Sequence, residues 1–277
     1  MIKKTFFVLG LAVLAIAGTG CNQLKSRDAL NQGVQAFKAA RYSAAVDFFK
    51  TAVALDPDNL NGRLYLATAY MQQYIPGADT PENNELAKEA KDEFQGVLNK
   101  QPNEKLALAS LASLAYNEAQ GVSELDKKFQ YLNEAKDWYK KLVGVDPQNK
   151  EAWYSLGVID WAETYPVRMQ ARAKLKMKPE DPGPIKDKKV RDELRERNLP
   201  MIEDGIKDLQ TALQVDPNYD DAMSYINLVY RERADIAENP EEYKKDIDTA
   251  ESWVQKSLDT KKMKAAKQPT TGISAEK

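Results

Sequence analysis

The chain has 277 residues, 43% apolar and 30% charged, and its 40 basic and 42 acidic side chains leave a net charge of −2. No histidine and a single cysteine exclude histidine metal sites, histidine-based nucleophilic catalysis, CxxC chemistry and internal disulfides. The charge is uneven: Tyr165–Asn198 carries +5 and Leu199–Gln255 carries −9. An acidic body with so small a net charge argues against nucleic acid as the partner.

Residues 1–20 read as a signal peptide. Lys3 and Lys4 form a positive start, and Phe6–Ala17 is an apolar run broken by one glycine. A bilayer-spanning helix needs about 20 apolar residues, so this run is a leader rather than an anchor. Gly18, Thr19, Gly20 and Cys21 follow. Small residues before the sole cysteine resemble a bacterial lipobox, with Gly18 where that family usually has Leu. The resemblance implies lipidation of Cys21, a membrane anchor through that lipid, and a short anchor linker over 21–25. Ordinary cleavage to a secreted product is the alternative. Asn22 stands where an Asp retains such lipoproteins at the inner membrane. The expected location is therefore the bacterial cell envelope, lipid-anchored at the outer membrane and facing the periplasm.

Beyond the leader the chain repeats itself. The phrases AVALDPDN, VLNKQPNE, LVGVDPQN and ALQVDPNY place prolines at Pro57, Pro102, Pro147 and Pro217. Each proline closes one apolar-periodic helix and precedes another. Internal repetition at such periods is the mark of a stacked-hairpin architecture.

The residues resemble the tetratricopeptide repeat (TPR) family, whose unit of about 34 residues pairs an A helix with a B helix. The first repeat has Gly33, Tyr42, Ala45, Phe49, Ala52 and Pro57. The second has Leu66, Ala67, Tyr70, Ala90, Phe94, Val97 and Pro102, and the third Leu111, Ala112, Ala135, Tyr139, Leu142 and Pro147. The fourth opens on Trp153, Leu156 and Gly157, with Gly205 in its B helix. The fifth has Met223, Ile226, Tyr230, Ala250, Val254 and Ser257. The resemblance implies an all-α, right-handed superhelix (an α-solenoid) of about five helical hairpins over 26–261, with a disordered tail over 262–277. Small residues at the helix crossings let paired helices approach, and no pair buries its apolar face alone.

The later repeats are longer than the family unit. The extra residues fall between helices A and B, at Gln73–Asn84, Ala119–Lys127, about 164–198 and Ala234–Pro240. The short ones fit lengthened helices with loops. In the long insert, KPEDPGPIKD predicts an extended loop and KKVRDELRERN a short charged helix. A Pro-rich loop buries little apolar area, so deleting Met177–Asp187 is expected to leave melting nearly unchanged. The basic insert either touches anionic headgroups or pairs with the acidic block of its own chain.

In TPR proteins the A helices line a concave face. Carried over by position, that face holds Leu64, Thr68, Met71 and Gln72 in the second repeat. The third contributes Ala109, Ser113, Tyr116 and Asn117, the fourth Tyr154, Val158 and Trp161, and the fifth Ser224, Leu228, Arg231 and Glu232. The binding candidates are Leu64, Met71, Gln72, Tyr116, Asn117, Tyr154, Trp161, Leu228 and Arg231. This aromatic and amide lining suits an extended peptide or a helix; packing against neighbouring helices is the other reading of Tyr154 and Trp161. Leu30 and Val34 replace the Lys and Asn by which chaperone-binding members clamp a carboxylate.

Phosphate loops, dinucleotide fingerprints, nucleophile elbows and HExxH are missing from the sequence, and pairs such as Asp220 and Asp221 read as helix-start charges. The sequence predicts a non-enzyme without cofactor, metal site or small-molecule substrate. The expected function is an envelope-anchored scaffold that binds a protein or peptide and organises a membrane-associated complex. The alternative is a self-associating periplasmic spacer without a discrete groove.

Overall fold

The structure, a computed structural model, describes residues 21–267. The leader assigned to 1–20 and the end of the expected tail, 268–277, lie outside the described residues. Among those residues all regular structure is helical. The helices are α1 over 21–38, α2 (Tyr42–Leu55), α3 (Leu60–Met71), α4 (Pro81–Leu98) and α5 (Lys105–Gln120). Then come α6 (Leu125–Val145), α7 (Lys150–Lys174), α8 (Lys188–Val215), α9 (Asp220–Asp235) and α10 (Pro240–Lys267). They alternate as five A/B pairs, odd numbers being A helices. Two edges of the sequence reading change. Residues 21–25 belong to α1 rather than to a linker, and 262–267 continue α10 rather than starting a tail. Lys and Ala favour helix at the latter, and Lys264 reaches back to pair with Asp220 of α9.

The recurrent phrase has one local meaning. Asp56, Gln101, Asp146 and Asp216 each accept, on their carbonyl, the amide three residues on, at 3.0–3.1 Å. The residue that closes this turn then starts the next helix. Asn59 caps α3 by accepting from Gly62 N at 3.0 Å, and Asn149 caps α7 through Ala152 N at 2.9 Å. Glu104 does the same for α5 through Ala107 N at 2.6 Å. Each cap is worth about 1 kcal/mol. Proline after the helix end and a capping side chain two residues later thus set the hairpin-to-hairpin turn.

Tertiary contacts divide the chain into two compact units, Met1–Trp138 and Tyr139–Lys277, the division falling within α6. In the first unit α3 packs on α2, α4 and α5; in the second α8 packs on α7 and α9, and α9 on α7 and α10. The repeat positions form the core of both. Ala45, Phe49, Ala52, Ala67, Ala90, Phe94, Val97 and Ala112 have no exposed surface, and Leu66, Leu111, Leu142 and Leu156 next to none. Two glycines mark helix crossings without room for a side chain. A Cβ on Gly33 would lie 2.4 Å from the Phe49 ring, and one on Gly157 would lie 2.5 Å from Leu209 Cγ. Phe94→Ala should therefore leave a cavity and cost about 3–5 kcal/mol. A fall in the denaturation midpoint at unchanged far-UV shape is the expected result.

The long insert departs most from the sequence reading. α7 runs through Pro166 to Lys174, and α8 starts at Lys188 and continues through Pro200 to Val215. The charged helix expected after the loop is thus the first part of a 28-residue helix. The loop between, 175–187, is anchored rather than free. Ile185 is fully buried, and Met177 and Leu175 pack on the core of the second unit. Ile185 N donates to Asp235 O at 2.9 Å, and Gly183 N to the Tyr243 hydroxyl at 3.2 Å. Deleting Met177–Asp187 would remove these contacts, so the expectation of unchanged melting does not hold. The three shorter inserts are lengthened helices joined by the loops 72–80, 121–124 and 236–239.

Candidate partner-binding surface

In the first unit, α3 and α5 are neighbouring A helices. Leu64, Met71, Tyr116 and Asn117 are half-buried on them and Gln72 is exposed. Each of these side chains therefore keeps accessible surface.

The second unit holds a more developed surface. α7 presents Tyr154, Trp161, Tyr165 and Arg168 at helical spacing, and α9 adds Tyr225, with Tyr219 just before its first residue. Ring centroids run Tyr219 to Tyr154 at 5.2 Å, Tyr154 to Tyr225 at 5.5 Å, Tyr225 to Trp161 at 5.7 Å and Trp161 to Tyr165 at 4.8 Å. Two of these pairs meet edge to face, near 85°. The Arg168 guanidinium closes the row 5.4 Å from the Tyr165 ring. Five rings thus form one continuous row across two A helices. Tyr154, Trp161, Tyr219 and Tyr225 pack on the core with one side and keep the other accessible, while Tyr165 is 38% exposed. Tyr154 and Trp161 thus pack against neighbouring helices, and part of each ring stays accessible. Leu228 and Arg231 are half-buried on α9, and Arg231 Nε donates to Asn227 Oδ1 at 2.9 Å.

Electrostatics differ along the row. Burial, then the nearby carboxylates of Glu151, Asp221, Asp216 and Asp220, push the Tyr219 phenol up to about 12. Burial likewise raises Tyr225. These phenols stay protonated and act as hydrogen-bond donors at neutral pH. Lys150 stands 4.9 Å over the Tyr219 ring and pairs with Asp216 at 2.7 Å.

At the other end the row is held by a buried charge network. Arg168 grips Glu232 with two parallel bonds, Nε to Oε2 at 2.7 Å and Nη2 to Oε1 at 2.8 Å, and also pairs with Asp235. Arg172 Nη1 donates to both Asp235 oxygens at 2.8 Å. Its Nη2 donates to the carbonyls of Lys178 and Asp181 at 2.8 and 2.5 Å, which ties down the 175–187 loop. Burial pushes the Glu232 carboxyl up and Arg168 pulls it back. The basic insert therefore pairs with the acidic block of its own chain, here and at Arg195, which meets Glu238 at 3.1 Å. Glu232 and Val158 are buried and leave the lining that the family positions suggested. Ser224 leaves it too, since its hydroxyl bonds Asp220 O and the Ser257 hydroxyl.

The sequence reading missed Tyr165, Tyr219 and Tyr225. Tyr165 lies four residues after Trp161, which is a usable signal once α7 is known to run past Thr164 to Lys174. Tyr219, just before α9, and Tyr225, on it, sit at positions that the family pattern leaves unassigned.

Paired A and B helices, small residues at their crossings and proline-marked turns define a TPR-type all-α fold. Solved structures of the protein MamA are similar to the chain. One is 14% identical with a TM-score of 0.56, covering 88% of this chain and 96% of that one. A double mutant of MamA RS-1 is 15% identical with a TM-score of 0.53, covering 87% and 97%. MamA from residue 41 to the end, from Desulfovibrio magneticus RS-1, is 15% identical with a TM-score of 0.52, covering 86% and 96%. At such identities the likeness is one of fold. The family described as plant specific mitochondrial import receptor subunit TOM20 matches residues 192–269, which is well under half of the chain. No curated protein matches the chain in sequence.

Proposed function

We propose that this protein is an envelope-anchored, non-catalytic adaptor that binds a protein or peptide and holds it in a membrane-associated complex. The observation that carries the reading is the row of five rings across α7 and α9. Rigid aromatic rings, half-packed and half-accessible, give a partner large contact area at small entropic cost. An extended segment or a helix laid along the row would seat apolar side chains between the rings. The amide and apolar side chains of α3 and α5 offer further contacts of the same kind.

The anchor is Cys21 in this proposal. It is exposed, it is the sole cysteine, and small residues precede it. A diacylated cysteine would supply the two-chain anchoring that one chain cannot. Among the described residues no helix is long and apolar enough to cross a membrane. The setting proposed is the outer membrane, on the periplasmic side, with no nucleic acid, cofactor or small-molecule substrate. Cys21→Ala should move the protein from the membrane fraction to the soluble fraction. A mutant that still sediments with membranes would show that something other than lipid holds it. Crosslinking in cells followed by purification tests the adaptor itself. A stoichiometric partner that is lost with Tyr165→Ala supports it, whereas contacts between copies alone support the spacer.

A further inference from the structure

In the B helices one large residue recurs four places after the small residue at the helix crossing. Phe49 of α2, Phe94 of α4 and Leu209 of α8 hold that place with 0% exposure, and Tyr139 of α6 holds it half-buried. Phe49, for example, stacks on Tyr65 of α3 with centroids 5.4 Å apart. In α10 the residue at this place is Val254, which is 36% exposed. Leu258, one turn on, is 47% exposed, whereas of its counterparts Leu98 and Val143 are buried and Val53 and Leu213 half-buried. α10 buries Asp246, Ala250, Ser257 and Thr260 and packs on α9. At about 3.6 residues per turn, Ile247, Glu251, Val254, Leu258, Lys261 and Ala265 share the neighbouring side, where the earlier repeats receive their next helix.

The charges along this side select its occupant. Glu251 precedes the apolar pair, and Lys261 and Lys262 follow it. All three are exposed, and the two lysines make long ion pairs of 3.9 Å with Asp220 and Asp259. An antiparallel register that sets Val254 against Leu258 of a second copy also sets Glu251 against Lys261 of that copy, twice by symmetry. Ile247 then faces Ala265. A parallel register would set Glu251 against Glu251 and lysine against lysine. Head-to-tail stacking on α1 offers a single exposed leucine, Leu24, followed on the same side by the exposed polar residues Arg27, Asn31, Gln35 and Lys38, and so no second apolar residue to match the Val254–Leu258 pair. We propose that the open face of α10 is a two-fold homodimer interface in which α10 packs antiparallel on itself, with Val254 and Leu258 at the centre and Glu251–Lys261 pairs at the rims. Such an isologous pair is closed and covers the exposed side of α10 in both copies. One helix pair is a small interface, so the dimer is a weak one that dissociates on dilution.

The test measures the protein mass of the full chain in mild detergent by light scattering, with the detergent contribution subtracted, across the micromolar range. The wild type should pass from monomer to dimer as concentration rises. Leu258→Glu should stay monomeric with an unchanged far-UV spectrum. Lys261→Glu should weaken the dimer, and Lys261→Glu combined with Glu251→Lys should restore it. The charge exchange decides the matter if Leu258→Glu fails to fold. A wild type that is monomeric throughout, as it would be if another segment covers this face, overturns the proposal. So does a Leu258→Glu dimer, or a charge exchange that restores nothing. None of these residues belongs to the aromatic row, so this result and the test of the adaptor reading are independent.

Discussion

Arg172→Ala should lower the stability of the second unit by about 3–5 kcal/mol, one of the larger effects a single substitution has in this chain. The side chain is 2% exposed and its guanidinium serves three groups: the Asp235 carboxylate and the carbonyls of Lys178 and Asp181. Truncation leaves a buried carboxylate with less compensation and two carbonyls without that donor, which is costlier than the lost attraction itself. Arg168 still pairs with Asp235, which places the loss toward the lower end of the range. The loop should open as well. Trypsin should then cut after Lys176 or Lys178 at protein concentrations where the wild type resists. Replacing the pair together, Arg172→Met with Asp235→Leu, should cost less than either single change, because no uncompensated charge stays behind. Denaturation midpoints of the three variants check this. Equal losses from the single and double variants would mean that packing volume, not charge, governs the site.

Much of the fold was legible because its devices are local. Pro57, Pro102, Pro147 and Pro217 mark turns whose carbonyl–amide bond recurs four times, and Asn59, Glu104 and Asn149 start helices two residues later. Ala45, Phe49 and Ala52 announce a packed face through spacing alone, and the structure buries all three. Features set by distant groups were less visible. Pro166 and Pro200 look like helix ends, yet both helices continue, Arg168 and Arg172 beyond Pro166 being held by partners more than 60 residues away. Arg168, Arg172 and Asp235 have no signal of burial in the sequence, and Glu232 reads as a residue of the concave lining, until α7 and α9 are set side by side. Val254 matches the family position of Phe49 but not its burial, being 36% exposed where Phe49 is 0%. The candidate surface was legible in part. Tyr154 and Trp161 followed from A-helix positions, while Tyr219 and Tyr225 join the row through contacts across helices that no spacing encodes.

Tyr165 and Trp161 should behave differently when truncated, and the difference decides what the aromatic row is for. Trp161 packs on the core of the second unit and touches both Tyr165 and Tyr225. Trp161→Ala should therefore cost about 3 kcal/mol of stability, near the low end for a large aromatic because the ring is only half enclosed. It should weaken partner binding too, by about 2 kcal/mol or more if it is an interface anchor. Tyr165 is 38% exposed, and its contacts are the Trp161 ring and the Arg168 guanidinium. Tyr165→Ala should cost no more than about 1 kcal/mol of stability, the worth of one partly exposed ring pair. Its effect on binding should nevertheless match that of Trp161→Ala. Melting and recovery of the crosslinked partner, measured on the same two variants, separate the roles. If Trp161→Ala lowers both quantities and Tyr165→Ala lowers binding alone, the accessible side of the row holds the partner. If Tyr165→Ala leaves binding intact while Trp161→Ala impairs it only in proportion to lost stability, the rings serve packing. The partner would then meet the chain elsewhere, for which α3 and α5 with Met71, Gln72 and Tyr116 are the next surface to test.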